Sequence, residues 1–134
     1  MIDKEVLNLV EAYKSLPSDY QNISELIDLR KDLSISLVYL AKETGEARAK
    51  WKRSAMNYEL EKNALRIDYI ADGTQKADWK ARANTMSVLS SLTDSENDYY
   101  SKDYLLRYCR DLLGEMSQRI AIARKEYEES NFNG

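Results

Sequence analysis

The sequence predicts an all-α protein of long antiparallel helices, arranged as a hairpin or bundle, and three observations carry that expectation. Apolar residues recur at i, i+3 and i+4 through most of the chain. Only one Pro and four Gly interrupt its 134 residues. Charged side chains make up 32% of the total and β-branched runs are few, a composition of helices rather than sheets. A chain of this length fits one domain with a modest core.

Residues 2–15 place Ile2, Val6, Leu9, Val10 and Tyr13 at helical spacing, and Pro17 ends the pattern. The polar stretch SDYQN, residues 18–22, reads as a short loop. A second amphipathic helix starts at Ile23 and carries Leu26, Ile27, Leu33, Leu37 and Leu40. Thr44-Gly45 then admits two readings, a kink or a fresh helix capped by Thr44, because Gly inside a helix costs about 1 kcal/mol relative to Ala. The next helix is predicted over 46–71. Asp72-Gly73 ends it, with Gly73 suited to the left-handed position that follows a helix. Thr74 is the expected cap of a segment carrying Ala77, Ala81, Val88 and Leu89. From Ser90 to Ser95 the sequence turns polar, and Asp94 or Ser95 is the expected cap of the last helix. That helix is the most regular: Leu106, Cys109, Leu113, Met116, Ile120, Ala123 and Tyr127 alternate spacings of three and four, the seam of a coiled coil. Leu105 and Leu112 widen its apolar face, so it needs a partner from its own chain or another copy. No internal repeat or long linker divides the chain. It reads as one helical domain, with N-terminal helices over 1–41, a basic region over 42–82 and a C-terminal assembly helix over 95–130.

Composition argues against catalysis. Histidine is absent, which removes the commonest general base and metal ligand. None of the four glycines clusters into a phosphate loop, and a lone cysteine cannot build a Cys/His zinc site. Asp94, Glu96 and Asp98 read as a solvated helix start, favoured by the helix dipole, rather than as a metal cluster. Cys109 sits on the apolar seam and reads as a small buried hydrophobe. With one cysteine there is no internal disulfide, which fits a reducing compartment. The start MIDKEVLNLV lacks a signal-peptide pattern, and no apolar run reaches the roughly 20 residues a membrane span needs. The expectation is a soluble, intracellular, non-enzymatic protein without a cofactor.

Charge is unevenly spread. The net charge is −3, yet residues 42–82 carry 10 basic and 7 acidic side chains. At 100° per residue Arg48, Lys52, Lys62 and Arg66 fall close to one line, with Glu59 the only acidic intruder. Trp51, Tyr58 and Tyr69, with Leu65 among them, lie beside that line. Cations neutralise phosphates and aromatic faces stack on unpaired bases, so the row suits single-stranded nucleic acid. A plainer reading stands beside it. Trp51, Tyr58 and Leu65 recur every seven residues as a core stripe does, the flanking cations lay their stems along it, and Glu59–Lys62 is a routine surface pair.

The runs ALRIDYIADG, MSVLSS and LLRYCRDLLGEMSQRIAIARKEYEESNFNG resemble the T-even phage recombination mediator (UvsY) family. The resemblance covers about residues 57–134, through Arg66-x-Asp68-Tyr69, Val88-Leu89-Ser90, Cys109, Arg119, Arg124 and Phe132 in order. It implies a ring-like homo-oligomer of about six or seven copies, assembled through the C-terminal helix, in the cytoplasm of an infected bacterial host. It further implies single-stranded DNA, a phage recombinase and a phage single-strand-binding protein as partners, the first protein replacing the second on DNA. The family's DNA-binding motif is Lys-x-Arg-Leu-Asp-Tyr-Tyr. Arg66, Asp68 and Tyr69 match it, whereas Ala64 holds the lysine position and Ile70 the second tyrosine, with Lys62 on the same row as the replacement cation. An adaptor or inhibitor without DNA binding is the alternative, with a partner groove along 23–41 or 105–127. A virion or scaffold role is a third.

Overall fold

Apolar periodicity sets which segments are helical, and local hydrogen bonds set where they begin and end. The computed structural model describes residues 2–17 and 22–133. The described elements are α1 (Ile2–Lys14), α2 (Ile23–Asp68), a 3₁₀ turn (Ile70–Asp72), α3 (Thr74–Asn84) and α4 (Met86–Asn133). The protein is all-α. The loop expected over 18–22 lies outside the described residues except for Asn22. That residue caps α2: its Oδ1 accepts the Glu25 amide at 3.2 Å, and its carbonyl accepts that of Leu26 at 3.1 Å.

Two expected breaks are absent. α2 runs unbroken through Thr44-Gly45, so Thr44 is a buried helical residue and not a cap. The favourable helix formers on either side outweigh a single Gly penalty. α4 likewise runs through the polar stretch 90–95, and neither Asp94 nor Ser95 caps anything. Thr93 Oγ1 donates to the Leu89 carbonyl at 3.0 Å and Ser95 Oγ to that of Ser91 at 2.9 Å, so these hydroxyls are satisfied inside the helix.

Real breaks fall at Gly73 and Thr85. α2 ends at Asp68, earlier than residue 71, and Gly73 has φ +102°, a region L side chains rarely adopt. Gly73, not Thr74, occupies the cap position of α3, with its carbonyl accepting the Ala77 amide at 2.9 Å. Thr85 is fully buried. Its hydroxyl donates to the carbonyls of Ala81 and Arg82, and its own carbonyl accepts the Leu89 amide, closing α3 and opening α4.

The chain divides into two compact units, Met1–Glu43 with Lys102–Gly134, and Thr44–Ser101. The first has a large apolar core. Val6, Val10 and Tyr13 of α1, Leu26, Leu33, Leu37 and Leu40 of α2, and Leu106, Cys109, Leu112, Met116 and Ile120 of α4 form one cluster. The second buries only small side chains, among them Ala47, Ala77, Ala81, Thr85 and Ser95.

Gly45 and Gly114 lie inside helices, and a Cβ at either position would meet no atom within 4 Å. Gly45→Ala and Gly114→Ala should each raise unfolding stability by about 0.5–1 kcal/mol in urea titrations. Gly73→Ala should lower it by about 1–3 kcal/mol, since the turn requires positive φ.

Candidate nucleic-acid interface

The second half of α2 presents the row expected from the helical wheel, but its two kinds of side chain have separate environments. Arg48, Lys52 and Arg66 are exposed, as are Lys50 and Arg53. Trp51, Tyr58 and Leu65 are half-buried along one edge of the helix, and Tyr69, just past its end, is half-buried too. None of them is among the fully buried residues, so the stripe is partly covered and does not form a core of its own.

Each aromatic ring is engaged within the second unit. Trp51 stacks on Tyr99, with ring centres 5.4 Å apart and planes 17° from parallel. Tyr100 packs against the same indole at 5.5 Å, tilted by 52°. Tyr58 lies under the Lys62 ammonium, 5.3 Å from the ring centre. The Tyr69 hydroxyl accepts a hydrogen bond from Asn84 Nδ2 at 3.1 Å, and Lys80 Nζ lies 5.2 Å from its ring centre. Tyr69 also sits beyond the end of α2, so it leaves the straight row that a helix to residue 71 would give.

The cations differ as well. Lys62 is half-buried, and its Nζ lies 3.3 Å from a Glu59 carboxylate oxygen, so the surface pair anticipated from spacing is present. Lys52 Nζ sits over the Trp51 ring, 4.2 Å from its centre, and stays exposed. Among the described residues, Arg48, Lys52 and Arg66 have no ion-pair partner. Sequence reasoning missed Tyr99, Tyr100, Lys80 and Asn84. The Tyr99-Tyr100 doublet was visible, but no spacing rule linked it to Trp51, 48 positions earlier.

The seam expected to serve assembly lies in the first unit, and most of it is covered by the same chain. Leu106, Cys109, Met116, Ile120 and Ala123 are buried and Leu113 is half-buried, whereas Tyr127 is 62% exposed. Of the two partners the seam admitted, the chain's own α1 and α2 fill the role from Leu106 to Ile120. Burial also pushes the Cys109 thiol above its ordinary pKa, as for an inert structural cysteine. Arg119 serves the junction after α1: its Nη2 donates to the Pro17 carbonyl at 2.8 Å, and its guanidinium lies over the Tyr13 ring. The Tyr13 hydroxyl donates to Glu115 at 3.0 Å, and burial first, then Glu115, raises its pKa.

Among the described residues, no group of three or more His, Cys, Asp or Glu is placed to hold a metal ion. No described helix is long and apolar enough to cross a membrane. A groove of about 620 Å³ in the first unit has Ile27, Ile35, Ile120 and Ala121 in its lining, with Arg30, Lys31 and Arg124 around them. No family model, curated protein or solved structure matches the chain.

Proposed function

We propose that this chain is a non-enzymatic recombination mediator of the phage-encoded kind, which binds single-stranded DNA and helps a recombinase displace a single-strand-binding protein. The observation that carries this reading is the exposed, unpaired set Arg48, Lys52 and Arg66 on one helix. Side chains held this way neutralise phosphates without first breaking an internal ion pair. The sequence resemblance over 57–134 adds the class of partners and the cellular setting, the infected bacterial cytoplasm. In the second unit, Trp51 pairs with Tyr99 and Ser54 with Ser95, in opposite chain order, which supports an antiparallel hairpin.

Assembly into a ring of six or seven copies belongs to the same proposal. Because α1 and α2 already cover most of the seam, its exposed end at Tyr127 is the part left for a second copy. Several modest cationic patches on one particle then act together on one strand, which offsets a net charge of −3.

The first unit's groove favours a second reading, a helical adaptor. An apolar floor ringed by Arg30, Lys31 and Arg124 is complementary to an acidic amphipathic helix of a partner protein.

Fluorescence anisotropy of a labelled oligo-dT strand separates the two readings. The mediator reading expects binding at low salt with a logarithmic salt slope of about −0.7 per phosphate neutralised. The triple variant Arg48→Gln, Lys52→Gln, Arg66→Gln should lose at least tenfold in affinity and flatten that slope. No binding at low salt removes the mediator reading and leaves the adaptor. Assembly has its own test in light scattering: Tyr127→Asp should reduce the particle mass while keeping the helical circular dichroism. Met116→Asp buries an unpaired charge and should instead unfold the first unit.

A further inference from the structure

The proposed strand contact uses cations only, and the aromatic side chains first matched to it face into the second unit. That leaves open which surface would hold the bases. Among the described aromatic residues of this unit, Tyr100 combines exposure with a rigid seat. It is 52% exposed, and its ring is fixed on two sides, by Trp51 at 5.5 Å and by Tyr99 at 5.2 Å. Trp79 is more exposed, but no ring or cation contact holds it. Lys52 Nζ sits over the same indole that supports Tyr100, so an exposed aromatic ring and an unpaired ammonium both lie within 6 Å of the Trp51 ring centre.

We infer that Tyr100, seated against the Trp51 ring that also carries the Lys52 ammonium, is the stacking face for an unpaired base of a strand whose phosphates meet Lys52 and Arg48. This inference rests on the single-strand-binding reading and names the base-contacting residue of that site. Both requirements of sequence-tolerant strand binding, a cation for the backbone and an aromatic plane for the base, are met around one indole. Because Trp51 and Tyr99 already restrain the ring, stacking costs little side-chain entropy. Glu96 lies one turn before Tyr100 on α4 and is half-buried. Its charge repels phosphate, so the backbone passes on the α2 side, where the cations are.

Two labelled strands of equal length and charge isolate the stacking contribution: oligo-dT, and an abasic strand with the same phosphates. Wild type should bind oligo-dT at least fivefold more tightly than the abasic strand at equal salt. Tyr100→Ala should abolish that preference while leaving the salt slope unchanged, and Tyr100→Phe, which keeps the ring, should retain it. Circular dichroism of both variants verifies that the unit stays folded. Equal wild-type affinity for the two strands, or a preference that survives in Tyr100→Ala, overturns the inference and leaves strand binding standing. Absence of binding to either strand overturns both.

Discussion

Desolvation of one face of α4 is the constraint on which the first unit depends. Met116 and Cys109 are fully buried, and they meet Leu26, Leu33 and Leu40 of α2 and Val6 of α1, which are also fully buried. Burying a side chain of the Leu or Met class stabilises by about 1.5–3 kcal/mol, and truncating one in a packed core costs about 2–5 kcal/mol. Among the described residues, no surface ion pair given a geometry approaches that. The Lys102–Asp3 pair, at 3.9 Å and partly exposed, belongs to a class worth well under 1 kcal/mol in most cases. Polar contacts here have a directional role. Arg30 Nε donates to Ser117 Oγ at 2.7 Å and Tyr13 to Glu115 at 3.0 Å, fixing which turn of one helix faces which turn of the next.

The second unit is built on different terms. Its buried residues are alanines, threonines and a serine, each removing little apolar area from water. Trp51, Tyr99 and Tyr100 supply what the small residues do not, since aromatic pairs of this geometry contribute about 0.5–1.5 kcal/mol beyond their area. Thr85 satisfies two carbonyls where α3 stops. With so little apolar burial, this unit opens locally at lower cost than the first. Surfaces that adapt to a ligand are drawn from such regions, whereas the seam of α4 is held too firmly to open for one.

Legibility followed the kind of physics each feature rests on. The all-α class and the buried face of α4 were readable because they are properties of period and composition, which one strand of sequence carries. The continuity of α2 through Gly45 was not, because a local propensity penalty near 1 kcal/mol decides nothing when the flanking turns are long and helical. Ser95 was misjudged for a related reason: a serine that caps and a serine that bonds back to the carbonyl four residues earlier look alike in sequence. The cationic side of the candidate interface came from the wheel, and exposure of Arg48, Lys52 and Arg66 follows it. The aromatic side did not, because a wheel gives angles on one helix and is silent about Tyr99 and Tyr100 on another.

Electrostatics then rank the cations that the sequence could only group. Lys62 has its charge engaged by Glu59 and its stem laid on Tyr58, so a phosphate would have to compete with a carboxylate for it. Lys52 is held instead by the face of an indole. Such a contact is worth about 0.5–1 kcal/mol at an exposed site, less than a charge-assisted hydrogen bond to phosphate. The ring positions the ammonium without consuming its hydrogen-bond donors, so an anion arriving at Lys52 would find the charge already placed and still unpaired. Arg48, one turn earlier on the same face, adds a planar fork able to grip phosphate through two bonds. Electrostatically, the turn from Arg48 to Lys52, and not the motif-like run ending at Tyr69, is the part of this helix best prepared for a polyanion.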